Sequence, residues 1–198
     1  MSDKYSEKKR DKIWHKAFHW YGLFVNSEQF KALSELEQEE AELIVIHFAD
    51  LMYVRHGTTP KRWNIADMEA CCTEGFPFEI AAEPDFFELI APVLSAFFRF
   101  LEEEEILLSA GLLARRVEQL GERIVDNAAN PAMWGPAKTI LATAVRAGLD
   151  MNSREEINFF MEHCNREIVE GGSSSWEISD PGWPLVIGRK RSTRKKTR

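Results

Sequence analysis

Long apolar runs are missing from this sequence. Its richest stretch, LIVIHFADLMYV, is interrupted by His47 and Asp50, whereas a membrane helix needs about 18 uninterrupted apolar residues. No membrane association is expected. Cysteine is scarce: Cys71 and Cys72 are adjacent and Cys164 stands alone, an odd count of three that builds no disulfide framework. The opening MSDKYSEKKRDK mixes charges around no apolar centre, unlike a secretory signal. Together these features predict an intracellular, cytoplasmic protein. Also lacking are a glycine-rich phosphate loop, a serine elbow and zinc-finger spacing. With them go the best-marked enzyme chemistries, and no cofactor and no resident metal is expected.

What is present is the composition of a folded domain. The 198 residues are 44% hydrophobic and 29% charged, with 13 Phe and six Trp, enough for one core of ordinary size with a charged cover. Apolar residues recur at helical spacing. Trp14, Ala17, Phe18, Tyr21 and Val25 form one face of a first helix. Ser34 with Glu37 makes a capping box for a long helix, which Gly57 closes after Arg55 and His56. Asn64 is an N-cap between Trp63 and Met68, the spacing of a hydrophobic staple, and Gly75 is expected to end that helix. FPFEIAA is expected to be an extended connector.

Residues 84–105 are the most apolar segment and should form the central helix, with only Glu88, Ser95 and Arg99 making a polar stripe. Pro92 lies on that stripe. The Glu88 carbonyl that it frees can then face water, so either a kink or a break into two helices is expected. Ser109 is expected to cap a further helix carrying Leu112, Leu113, Val117, Leu120, Ile124 and Val125, and Asn130-Pro131 to open another that runs to Gly148. Ser153 with Glu156 begins a last one. The fold expected is all-α: a single bundle of about seven helices over residues 5–170, a linker at 171–188 holding the short apolar stretch WPLVIG, and a flexible basic tail at 189–198.

The segments HGTTPKRWNIADMEACC, EPDFFELIAPVLSAFFRFL, LLARRVEQLGERIV and NPAMWGPAK resemble a group of prokaryotic all-helical proteins over roughly residues 30–165. Some members of that group carry a C-terminal SEC-C zinc motif after a glycine-arginine junction. Gly188-Arg189 stands at the corresponding place, but the cysteines do not follow. The resemblance therefore implies an all-helical body with a basic end, and neither zinc nor a particular activity.

The tail is the sharpest feature. Residues 189–198 hold seven of the 25 Lys and Arg and no Asp or Glu, so the preceding 188 residues set 18 basic side chains against all 32 acidic ones. Arg189, Lys190, Arg191, Arg194, Lys195, Lys196 and Arg198 are the candidate contacts for RNA or DNA. Such contacts are salt-sensitive and sequence-blind, and no aromatic side chain is interleaved for base stacking. The plainer reading is a solvated end.

Other candidates are weaker. Arg55, His56, Lys61 and Arg62 gather positive charge near Thr58 and Thr59 and could hold an anion. His15 and His19 have the i, i+4 spacing of metal ligands but no third partner in sequence. Cys71-Cys72 and His163-Cys164 point apart on a helix, so a buried, inert thiol is the simpler expectation. Glu102 to Glu105 form an acidic run at a helix end, usually a solvated one. The function expected is a non-enzymatic binding or adaptor protein, with a body for a protein partner and a tail for nonspecific nucleic-acid contact. An enzyme acting on an anionic substrate, using His47 or the 55–62 loop, is the first alternative, and a structural oligomerisation module the second.

Overall fold

The computed structural model describes residues 6–82, 84–136 and 138–139. The chain divides into two compact units, one of residues 1–78 with 83–133 and one of residues 79–82 with 134–198. The helical layers described next belong to the first unit. Its α-helices are α1 (Glu7–Phe24), α2 (Glu28–Lys31), α3 (Glu35–His56), α4 (Ile65–Ala70), α5 (Phe76–Glu79, whose last residue falls in the second unit), α6 (Pro84–Glu103), α7 (Ala110–Glu118) and α8 (Gly121–Ala129). No strand occurs among the described residues. The fold is all-α, as the hydrophobic periodicity predicts.

Two helices are central. In α6, Phe86, Phe87, Ile90, Val93, Leu94, Phe97, Phe98, Phe100 and Leu101 are all buried, and in α3 so is nearly every residue from Ile44 to Tyr53. Helix α6 packs against α2, α3, α7 and α8, while α1 lies on α3. The layers meet through edge-to-face rings: Phe48 stands 5.0 Å from Trp63 and 5.4 Å from Phe98, and Phe24 5.4 Å from Phe97. This spacing adds directional attraction to the burial of apolar area.

Local signals hold where a side chain meets the backbone nearby. The Ser34 hydroxyl accepts from Glu37 N, the Glu37 carboxylate accepts from Ser34 N at 2.7 Å, and Gly57 takes the left-handed conformation at φ 66°. Asn64 caps α4 by accepting from Asp67 N at 2.9 Å. Helix α6 passes Pro92 without breaking.

Four expectations are corrected. The buried face of α1 is Ile13, Ala17, Trp20 and Phe24, one residue round from the expected row, and Phe18 is 44% exposed. Aromatic side chains on both sides of α1 make either row apolar enough, and Asp50 decides by drawing Arg10 and Trp14 to one edge. Gly75 does not end α4. The chain continues through a π turn, Cys71–Gly75, into α5, so FPFE is helical rather than extended. The helix expected from Ser109 is two, α7 and α8, joined at Gln119 and Leu120, and the Ser109 side chain makes no cap bond. Asn130 and Pro131 open a 3-10 turn, Pro131–Met133, in which Asn130 Oδ1 accepts from Ala132 N at 3.0 Å, and the helix expected there starts only after Trp134 and Gly135, at Pro136, with Thr139 N donating to Gly135 O at 3.0 Å. The remainder of that expected helix beyond residue 139, the Ser153–Glu156 helix, the linker and the tail lie outside the described residues.

Candidate functional site: a groove along α6

The polar stripe of α6 places Glu88, Pro92, Ser95 and Arg99 at i, i+4, i+7 and i+11, one vertical row of a helix otherwise buried. That row is the floor of a groove of about 580 Å³. Gln29, Ala32 and Leu33, from α2 and the residues just after it, form one wall, and Glu118 with Gly121, where α7 gives way to α8, forms the other. Ala91 and Ala96 complete an apolar bed between the polar groups.

The polar groups differ in how far they are satisfied. Ser95 Oγ donates to Glu118 Oε1 at 2.5 Å, and Arg99 donates to the same oxygen, so α6 is tied to the end of α7 by a serine and an arginine sharing one carboxylate. At the rim, Gln29 donates to Glu103 and fixes α2 over α6. Glu88 is exposed in the groove. Its backbone carbonyl has no i+4 amide to accept from, because residue 92 is proline. The groove thus offers two acceptors on one residue beside an ion pair that is already made.

On another face, Glu69 of α4 receives Arg116 through Nε at 2.9 Å and Nη2 at 2.7 Å, and Arg123 Nη1 at 2.7 Å. These hydrogen bonds, Arg116 first, hold the Glu69 carboxyl below its ordinary value despite an opposing desolvation. Asn127 Nδ2 donates to Thr73 O at 2.6 Å, satisfying a carbonyl within the π turn. This network locks α4 and its π turn to α7 and α8.

The four members of the expected anion site, Arg55, His56, Lys61 and Arg62, do not converge on the groove. Arg55 lies with its guanidinium 4.7 Å from the centre of the Phe78 ring, His56 Nδ1 is 3.5 Å from Asp67 Oδ1, and Lys61 and Arg62 are exposed on a 3-10 turn. The Thr58 hydroxyl is taken up by Met52 O at 3.0 Å. Asp67 brings to this loop a negative charge that loop composition alone conceals.

His15 and His19 are both exposed, with His15 Nδ1 2.7 Å from Asp11 O. Among the described residues no three His, Cys, Asp or Glu side chains gather as metal ligands. His47 is half-buried, with Nδ1 3.2 Å from Leu43 O. Cys71 and Cys72 are fully buried, and burial raises both thiols far above their ordinary value. They are poor nucleophiles there. The seven tail cations, Arg189 to Arg198, and the His163-Cys164 pair lie outside the described residues.

The stripe was visible in sequence, but the walls were not. Glu118 reads in sequence as one more surface carboxylate; only the fold shows it as the acceptor that Ser95 and Arg99, four apart on one face, both require. No helix among the described residues is long and apolar enough to cross a membrane. The geometry defines a helical protein with a preformed, partly polar surface groove. Compared with known proteins, the chain matches no family, no curated protein and no solved structure.

Proposed function

We propose that this chain is a non-enzymatic binding protein, in which the helical body docks a segment of a protein partner in the α6 groove and the basic residues 189–198 add nonspecific attraction to RNA or DNA. The observation that carries the reading is the groove itself: an apolar bed of Ala32, Leu33, Ala91 and Ala96 bordered by backbone and side-chain acceptors, with Arg99 and Glu118 neutralising each other. Small apolar side chains beside spare acceptors suit an extended segment, whose own amides are donors. The mechanism is avidity, a weak polyelectrolyte contact that raises the local concentration for the specific one.

The alternative, an enzyme acting on an anionic substrate, has less behind it. None of His47, Arg55, His56, Lys61 or Arg62 lines the groove, and His56 faces the Asp67 carboxylate. The oligomerisation reading has no observation of its own.

The nucleic-acid arm is tested in the full chain by changing Arg189, Lys190, Arg191, Arg194, Lys195, Lys196 and Arg198 to Gln. Wild type is expected to bind generic RNA and duplex DNA with an affinity that falls steeply as salt rises, and the variant to lose that binding with its helix content unchanged. Equal binding by both would remove the arm from the proposal.

A further inference from the structure

The groove is not electrically neutral. Its lining contains Glu88, Glu118 and one cation, Arg99, and Arg99 is already spent on Glu118. Glu103 stands at the rim, its carboxylate held by the neutral Gln29, which offers hydrogen bonding and no compensating charge. Glu88 is therefore the uncompensated charge of the groove, and Ala91 and Pro92, one turn on in α6, continue the lining beside it with short apolar side chains.

Pro92 adds a second acceptor at the same residue. In an unbroken helix each carbonyl is used by the amide four residues on, and α6 is unbroken here. Proline 92 has no amide, so the Glu88 carbonyl keeps its acceptor capacity on the groove side of the helix. A carboxylate and a carbonyl together are matched by a head with several N–H donors and a positive charge, carried on an aliphatic stem that can lie over alanine and proline. An anionic ligand would meet the Glu88 charge and would have to take Arg99 from Glu118.

We propose that the α6 groove is selective for a peptide segment bearing an arginine or lysine, whose cationic head pairs with the Glu88 carboxylate and donates to the Glu88 carbonyl left open by Pro92. The inference rests on the groove being a docking site and names the side chain that it selects. It makes Glu88 the specificity-determining residue, Pro92 the feature that exposes the backbone acceptor, and the Arg99–Glu118 pair the fixed wall.

The test is a titration of the full-length, isotope-labelled protein with three probe peptides, acetyl-Leu-Arg-Leu-amide and its norleucine and glutamate counterparts, followed through the backbone amides of Ala91, Ser95, Ala96 and Gly121. The arginine probe is expected to shift these amides saturably and to bind about tenfold more tightly than the norleucine probe, the worth of one charge-assisted contact. The glutamate probe should be weakest. Glu88→Gln is expected to bring the arginine probe to the norleucine level. Pro92→Ala, which restores an amide for the Glu88 carbonyl in a helix-favouring residue, should weaken the arginine probe several-fold and leave the norleucine probe unchanged. Equal shifts by arginine and norleucine probes, or an unaltered Glu88→Gln titration, would overturn the selectivity while leaving the docking reading in place. No saturable shift by either probe at ~10 mM, a very weak binding by the usual scale, would overturn both.

Discussion

Asp50 is buried in the middle of α3, 1% exposed, and receives Arg10 from α1 in a two-pronged contact, Nε to Oδ1 at 2.7 Å and Nη2 to Oδ2 at 3.1 Å. Trp14 Nε1 donates to the same Oδ1 at 2.6 Å. The carboxylate that interrupts the apolar run of α3 is thus the anchor that sets the rotation of α1.

Removing Arg10 leaves the Asp50 carboxylate buried without the cation that pairs with it. Arg10→Met is expected to cost about 3 kcal/mol, within the range for a broken buried pair. Adding Asp50→Asn should recover part of that loss, because a neutral amide oxygen still accepts from Trp14 and no charge is stranded. Urea unfolding of the two variants checks the order; a double variant as unstable as the sum of its parts would contradict it.

The Glu69 cluster gives a pH dependence with a defined sign. Its carboxyl is held below the unfolded value of about 4.3, so the unfolded chain binds the proton first. The stabilisation is fully present above that value and is lost as pH falls through it toward the folded one. Glu69→Gln should flatten the stability profile below about pH 5 relative to wild type, with little change of slope near neutrality. Parallel profiles for the two proteins would show that Glu69 is not a linked group.

Glu105 follows the end of α6 with φ 54°, a left-handed conformation that a side chain resists. The amides of Ile106 and Leu107 both reach back to Leu101 O at 3.0 Å, so the position closes the helix. Glu105→Gly is expected to stabilise the protein by about 0.5–1 kcal/mol. Glu105→Ala removes the same charge without relieving the backbone and should gain less, which thermal melts of the two variants distinguish.

Cys71 and Cys72 are expected to resist alkylation in the native protein, since both are buried and their thiols are held protonated by burial. Iodoacetamide treatment followed by peptide mass spectrometry should find them unmodified until denaturant is added. Rapid native labelling would mean that the π turn opens.

The helical class, the caps at Ser34 and Asn64, the Gly57 stop and the polar stripe of α6 are legible in sequence because each depends on residues within a turn or two of one another. What sequence does not disclose is set across elements. The rotation of α1 depends on Asp50, 40 residues beyond Arg10. The continuation past Gly75 depends on α5 and the π turn finding partners, including Asn127 for the Thr73 carbonyl. The walls of the groove come from residues near 29–33 and 118–121, which have no sequence relation to the stripe. Charge counting correctly marks Arg55 to Arg62 as basic but misses Asp67, which the fold brings to His56.

The central claim, that a groove for a cationic peptide and a basic nucleic-acid arm act together, is tested most directly by linking the two ligands. The affinity of the full-length protein is measured for generic single-stranded RNA, for the same RNA joined through a flexible Gly-Ser linker of about 20 residues to the Leu-Arg-Leu peptide, and for the peptide alone. Cooperation through avidity predicts that the joined probe binds at least about a hundredfold more tightly than either part, and that Glu88→Gln or replacement of the seven tail cations removes the gain. A joined probe that binds no better than RNA alone would contradict it.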